Sequence, residues 1–223
     1  MMLNYSEREM SEAFELALTD SSIRGIPSFK LLQKEFACHQ GVPDFIGLPT
    51  IHFIENYSFS DISSVDGASL VLSLLKYNSG RRWAYLKRHT ALSDTTLNQI
   101  LKELTAQNYI EKKDDLYYRS NFFETNDKIW AFELKLSNWK RALFQALQYK
   151  AFANYVVVVL PLEKEELLRQ NILRFHDMNV GVLLFDTNSG SSKWLNRPQK
   201  EQPVSKWQNL LLFCKLAQQE TVR

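Results

Sequence analysis

Three observations predict an α/β protein with a central sheet and helices on its faces. In the last hundred residues, β-rich runs alternate with segments of helical period, the signature of strand–helix–strand units. One of those runs, "YVVVVL" at 155–160, is apolar throughout, as a strand covered on both faces should be. The 223 residues are 45% hydrophobic and 13% aromatic, which supplies a packed core and argues against disorder.

Each element follows from its own residues. "NYSEREMSEAFELAL" (4–18) predicts a helix, with Met10, Phe14, Ala17 and Leu18 on one stripe and acids in the first turns, where the helix dipole favours them. Residues 28–40 read as a second helix. "GVPDFIGLPTIHFIENYSF" then mixes turn residues with β-formers, so a strand or hairpin opens near Val42. Helices are expected over 66–78, 82–91 and 93–107, followed by short strands "YIEKK" and "LYYRS" on either side of Asp114-Asp115. A strand at 129–136 leads into a helix over 139–153. Strand 155–160, helix 162–177, strand "VGVLLFD" and a final helix near 204–219 complete the alternation. "TNSGSSKWLNRPQKEQP" (187–203) reads as a loose surface loop.

Composition narrows the partners. Net charge is +2, from 27 basic and 25 acidic residues, so nucleic-acid binding is permitted and the distribution of charge must decide. Cys38 and Cys214 are too few for a zinc cluster or a disulfide framework, which points to a reducing, cytoplasmic home. No signal pattern opens the chain, and no run reaches the roughly 18 apolar residues of a membrane span. With only seven glycines there is no phosphate-cradling loop, and the four histidines lack metal-ligand spacing.

The middle of the chain is locally basic. From Arg81 to Lys113 seven basic residues stand against three acids. Ser93 is placed to cap a helix in which Leu97, Ile100, Leu101 and Leu104 form a core stripe, with Thr95, Asn98, Gln99 and Lys102 opposite. Helix, turn, helix and hairpin over about 55 residues resemble a winged helix-turn-helix domain, with 66–78 as its first helix. The resemblance implies a recognition helix in a DNA major groove and a wing against the backbone. Thr95, Asn98, Gln99 and Lys102 would meet bases and phosphates, with Arg81, Arg82, Lys112 and Lys113 on the backbone. A protein-binding winged helix with a solvated charged face is the alternative.

The strand "IWAFELKL" poses a separate problem. Glu133 and Lys135 are two residues apart and project from the same face. Either that face is solvated or it lines a site, since charges are rarely buried unless paired or ligating. Upstream, "GVPDFIG" puts Asp44 at a strand start. Downstream, Gln145 and Tyr149 are four apart on one helix face. Together "PD" at 43–44, "ELK" at 133–135 and the Q-x-x-x-Y spacing resemble the PD-(D/E)xK nuclease superfamily, in its RecB-like branch. "SEREM" resembles the start of the superfamily's Holliday-junction resolvases. The likeness covers residues 1 to about 55 and 121 to about 190. It departs in one respect: the acidic motif and the E-x-K strand are near neighbours in the family, whereas 89 positions part Asp44 from Glu133 here. The winged-helix segment falls in that gap and reads as an insertion.

The resemblance implies a restriction-endonuclease-like mixed sheet flanked by helices, divided as 1–60, 61–120 (the insertion) and 121–223. It implies Mg2+, with Mn2+ able to substitute, held by Asp44, Glu133, the Leu134 carbonyl and Glu7. Lys135 would orient the attacking water, with Gln145 and Tyr149 steering a phosphate or water. The expected function is a metal-dependent DNA endonuclease. The alternative is a DNA-binding protein on a silent nuclease scaffold. DNA is the expected partner and no membrane is. A homodimer and a larger nuclease or mobile-element assembly both remain open.

Overall fold

In chain order the elements of the computed structural model are α1 (Glu7–Thr19), β1 (Leu31–Lys34), β2 (Phe45–Leu48), α2 (His52–Asn56) and α3 (Val65–Leu74). Next come β3 (Arg81–Arg82), α4 (Trp83–Thr90), α5 (Asp94–Ala106), β4 (Ile110–Lys113) and β5 (Leu116–Arg119). The series ends with β6 (Trp130–Leu134), α6 (Trp139–Tyr149), β7 (Tyr155–Pro161), α7 (Glu165–Asp177), β8 (Gly181–Phe185), β9 (Ser192–Asn196) and α8 (Lys206–Glu220). The structure describes residues 5–120 and 126–220. Asn4, where the first helix was expected to begin, and the expected boundary at residue 121 lie outside them. No helix among the described residues is long and apolar enough to cross a membrane.

The chain forms two units. The first takes residues up to Ile51 and Asp127–Val204, and the second takes His52–Asn126 and the stretch from Ser205 onward. The expected division at 60/61 and 120/121 is thus shifted, and the final helix belongs with the middle segment. The reason is packing, since α8 lies along α2 and α3. Phe213 of α8 meets Phe53 of α2 with ring centroids 5.3 Å apart, and Trp207 Nε1 donates to Ser69 Oγ at 3.2 Å.

In the first unit a mixed six-stranded sheet runs β1-β2-β6-β7-β8-β9. Only β6–β7 and β7–β8 are parallel. Alternation divides the strands between two faces. Trp130, Phe132 and Leu134 of β6, with Val157 and Val159 of β7 and Leu183 and Phe185 of β8, share a core with Met10, Phe14, Ala17 and Leu18 of α1. Phe14 holds three rings at once, Phe45, Phe132 and Phe185, with centroids 5.3 to 5.9 Å away. Ser6 caps α1 reciprocally with Glu9, satisfying two of the helix's free N–H groups. Ala131 and Glu133 point to the other face, where α6 packs with Ala142, Ala146 and Tyr149 buried.

Two expectations are corrected here. Residues 28–40 hold β1 and turns, not a helix. Leu31–Lys34 pair with β2 at the sheet edge, and Glu35 takes φ 51°, which no helix accommodates. The supposed loop at 187–203 contains β9, which pairs with β8 after a turn at Gly190 (φ 68°).

In the second unit α3, α4 and α5 surround Leu72, Leu86, Leu97, Ile100 and Leu104, all fully buried. A three-stranded antiparallel sheet of order β3-β5-β4 stands beside them. Its hairpin turns at Asp114, whose φ of 54° an aspartate tolerates better than most residues. Ala91 (φ 55°) ends α4, and Ser93 caps α5 by accepting from Thr96 N–H.

Candidate active site

The first unit gathers Asp44, Glu133, Lys135 and Tyr149 by means of strand register. β2 pairs antiparallel with β6, Phe45 facing Phe132, and Asp44 stands immediately before β2, alongside the stretch of β6 that carries Glu133. Asp44 N–H donates to the Phe132 carbonyl at 3.0 Å, and Leu134 N–H donates to Asp44 Oδ2 at 2.6 Å. The carboxylate is therefore held by the strand that carries Glu133. The 89-residue separation is closed by backbone pairing.

Glu133 is only 1% exposed and both its oxygens are engaged. Tyr149 Oη donates to Oε2 at 2.6 Å, and Lys135 Nζ stands 2.9 Å from Oε1. The same ammonium donates to the Leu134 carbonyl at 3.0 Å. Tyr149 Oη also lies 3.2 Å from the Val42 carbonyl, but its single proton serves one acceptor at a time, and Glu133 is nearer. Gly41 (φ 128°) carries the preceding loop against Tyr149, where a Cβ would lie 3.3 Å from the ring. The loop's contact with Tyr149 is a feature that residue spacing did not reveal. The only hint was a glycine two residues before Pro43.

Gln145 lies one turn before Tyr149, half-buried, and its Oε1 is buried without a hydrogen-bond partner. An orphan acceptor of this kind is costly in a folded protein. Glu7 is exposed, and its Oε1 accepts only a long bond, 3.4 Å, from Leu136 N–H at the end of β6. It belongs to the margin of the cluster.

Electrostatics follow from this crowding. Burial, with further contributions from Glu133 and Glu7, pushes the Asp44 carboxyl from its ordinary 3.8 up to about 6, although the Leu134 N–H and Lys135 act the other way. Burial alone would depress Lys135, but its bond to Glu133 outweighs that and holds the ammonium above its ordinary value. Burial and then Glu133 push Tyr149 well up, so it remains a protonated donor. Two carboxylates share one ammonium, and above about pH 6 the cluster lacks positive charge.

Among the described residues no group of three His, Cys, Asp or Glu side chains is disposed to hold a metal. The donors gathered here are oxygens, Asp44, Glu133 and the Leu134 carbonyl, and the orphan Gln145 Oε1 stands one helical turn before Tyr149. That set fits a hard divalent cation such as Mg2+, and the charge deficit and the orphan acceptor fit one as well. The Lys135 ammonium rests on two of the same oxygens.

In the second unit Thr95, Asn98, Gln99 and Lys102 lie exposed along α5, opposite its buried stripe. Two are internally engaged. Asn98 Oδ1 accepts from Trp83 Nε1 at 2.8 Å, and Gln99 Nε2 donates to Glu103 at 2.7 Å. On the small sheet Arg81 and Lys112 both face Tyr117 in register, from either side. Lys112 Nζ is 5.6 Å from that ring's centroid. Arg81 lays its guanidinium over Tyr85 at 4.9 Å. A cleft of about 270 Å³ opens among Arg82, Trp83, Lys112 and Tyr117. Lys113 is drawn to Glu111 at 2.7 Å. Residue spacing does not disclose the aromatic lining of this cleft, which follows from the register of β3, β5 and β4.

No family model, no curated protein and no solved structure matches the chain.

Proposed function

We propose that the chain is a metal-dependent DNA endonuclease hydrolysing phosphodiester bonds, targeted by a second unit built as a winged helix-turn-helix domain. One observation carries the reading. Asp44, just before β2, is held by backbone groups of Phe132 and Leu134 on either side of Glu133, with Lys135 and Tyr149 both bonded to Glu133. This supports the PD-(D/E)xK resemblance at the point where the sequence departs most from it, the long interval between motifs. The order α3–β3–α4–α5–β4–β5, with its β3-β5-β4 sheet, supports the winged-helix reading.

Asp44, Glu133 and the Leu134 carbonyl would hold the ion, with Glu7 at the edge. A bound Mg2+, or Mn2+ in its place, would supply an activated water and offset charge on the phosphate. The remaining work falls to the chain. Lys135 keeps a cation against the carboxylates and can donate to an attacking water or a phosphate oxygen. Tyr149 fixes the Glu133 carboxylate by holding Oε2. Gln145 offers an unused acceptor. On the second unit Thr95, Asn98, Gln99 and Lys102 would enter a groove, while Arg81, Arg82, Lys112 and Lys113 would hold phosphates.

A plasmid-nicking assay with Mg2+ or Mn2+ tests the reading. Wild-type chain should cut, whereas Glu133→Gln and Lys135→Ala should lose at least a hundred-fold, on the order that loss of one stabilising donor costs. Equal cutting by wild type and Glu133→Gln would expose a contaminant and overturn the proposal. A second reading, a DNA-binding protein on a silent scaffold, is favoured by one observation: both Glu133 oxygens are already satisfied from within the chain. It predicts DNA binding with no cutting under either metal.

A further inference from the structure

The outer face of α6 is anomalous. Phe144 is 64% exposed in the middle of a regular helix, where a large aromatic side chain is ordinarily buried. Lys140 and Arg141, four and three residues before it, share that face and are exposed. Both occupy the first turn of α6, the end at which the helix dipole disfavours cations, and the helix contains no acid to offset them. Neither has a carboxylate partner among the described residues. Local preferences broken without compensation are expected at sites of function.

The position of this face relative to the candidate site gives the anomaly its meaning. Gln145 follows Phe144 directly, and Gln148 stands one turn beyond Phe144 on the same face. The loop before Asp44 reaches that point, since a Cβ on Gly41 would lie 3.7 Å from Gln148 Oε1. On that loop Val42 is a second exposed apolar side chain, 49% accessible. An aromatic ring flanked by two cations without carboxylate partners, Lys140 resting 5.7 Å from the Trp139 ring, matches one partner chemistry closely. Phosphates pair with the cations while an unstacked base lies on the ring. A protein partner would find two uncompensated like charges beside its anchor, which favours nucleic acid.

We infer that Phe144, with Lys140 and Arg141, binds a single-stranded stretch of DNA beside the scissile phosphate, so that the substrate is DNA with unpaired nucleotides at the cut. The inference rests on the endonuclease reading for its cut and on the α6 surface for its strand. Phe144 positions the strand and takes no part in the chemistry. A continuous duplex keeps its bases stacked and leaves Phe144 unused. A flap, gap or branch supplies the base that the ring requires.

The test uses the full chain in EDTA, so that binding is read without cutting. The probes are a blunt duplex and the same duplex with a single-stranded extension carrying a fluorescent purine analogue. Wild type should prefer the extended probe and quench its fluorescence. Phe144→Ala should lose roughly ten-fold or more of that affinity, while its affinity for the blunt duplex is unchanged. Phe144→Trp should restore both preference and quenching. Lys140→Ala and Arg141→Ala should each lower the salt slope by about one. Equal binding of the two probes by wild type, or an unchanged preference in Phe144→Ala, overturns the inference. Preference for the extension with no cutting when Mg2+ is added leaves the single-strand surface standing and sinks the endonuclease reading, and with it the placement beside a scissile phosphate. Failure to bind either probe sinks both and turns the face over to a protein partner.

Discussion

Asp44 ties protonation to stability. Its carboxyl rises from 3.8 to about 6 on folding, so the neutral form is the one the fold prefers. Its contribution is complete below about pH 4 and is withdrawn as pH climbs through 6, by up to about 3 kcal/mol. Denaturant titrations should therefore show wild type losing stability between pH 4 and 7 relative to Asp44→Asn. Parallel curves for the two proteins would refute the coupling. Added Mg2+ at pH 8 should raise the Tm of wild type and leave Asp44→Asn unmoved, because a cation supplies the charge that the ionised pair lacks. Much of this cluster was legible in the sequence. The two-residue spacing of Glu133 and Lys135 and the four-residue spacing of Gln145 and Tyr149 state which side chains share a face. The seating of Asp44 against Phe132 and Leu134 was not, since it depends on the pairing of two strands far apart in the chain. Nor was the fate of the Lys135 ammonium, which settles on Glu133 and the Leu134 carbonyl.

At the scale of elements, α1 and α5 show what periodicity delivers. The stripe read from Met10, Phe14, Ala17 and Leu18 is the buried face of α1. Phe14 sits among three rings. Its replacement by alanine should cost about 3–5 kcal/mol, read as a lower denaturant midpoint with unchanged slope. A cost below about 1 kcal/mol would mean that the helix does not anchor the sheet. Along α5 the exposed face invites a different measurement. Lys102→Ala, or Arg82→Ala at the start of α4, should weaken DNA binding and take about one unit from its salt slope. Unchanged slopes would leave that surface to a protein. Periodicity failed where pairing overrode it. "FKLLQKEF" spaces its apolar residues as a helix would, yet Leu31–Lys34 pair with β2 and Glu35 turns the chain. β9 was hidden for the opposite reason: Ser192, Lys193 and Asn196 are polar, as an edge strand's residues often are, and a glycine turn precedes them.

At the scale of the whole molecule, the second unit draws on two separated stretches, 52–126 and the residues from 205 onward. A fragment of 61–120 alone would lack α8 and expose the surface of α3 that α8 covers. It should be largely unfolded by circular dichroism, whereas 52–126 joined by a flexible linker to 205–223 should melt cooperatively. A well-folded 61–120 fragment would show α8 to be dispensable. The same division sets an order of manufacture. On the ribosome every strand of the six-stranded sheet is made before α8, and domains generally fold as units as they emerge. The half-built second unit must therefore wait, its apolar α3 surface uncovered, while the sheet closes behind it. A chain stalled or clipped after Val204 would carry a finished first unit and an unsealed second, the state most exposed to chaperones and proteases.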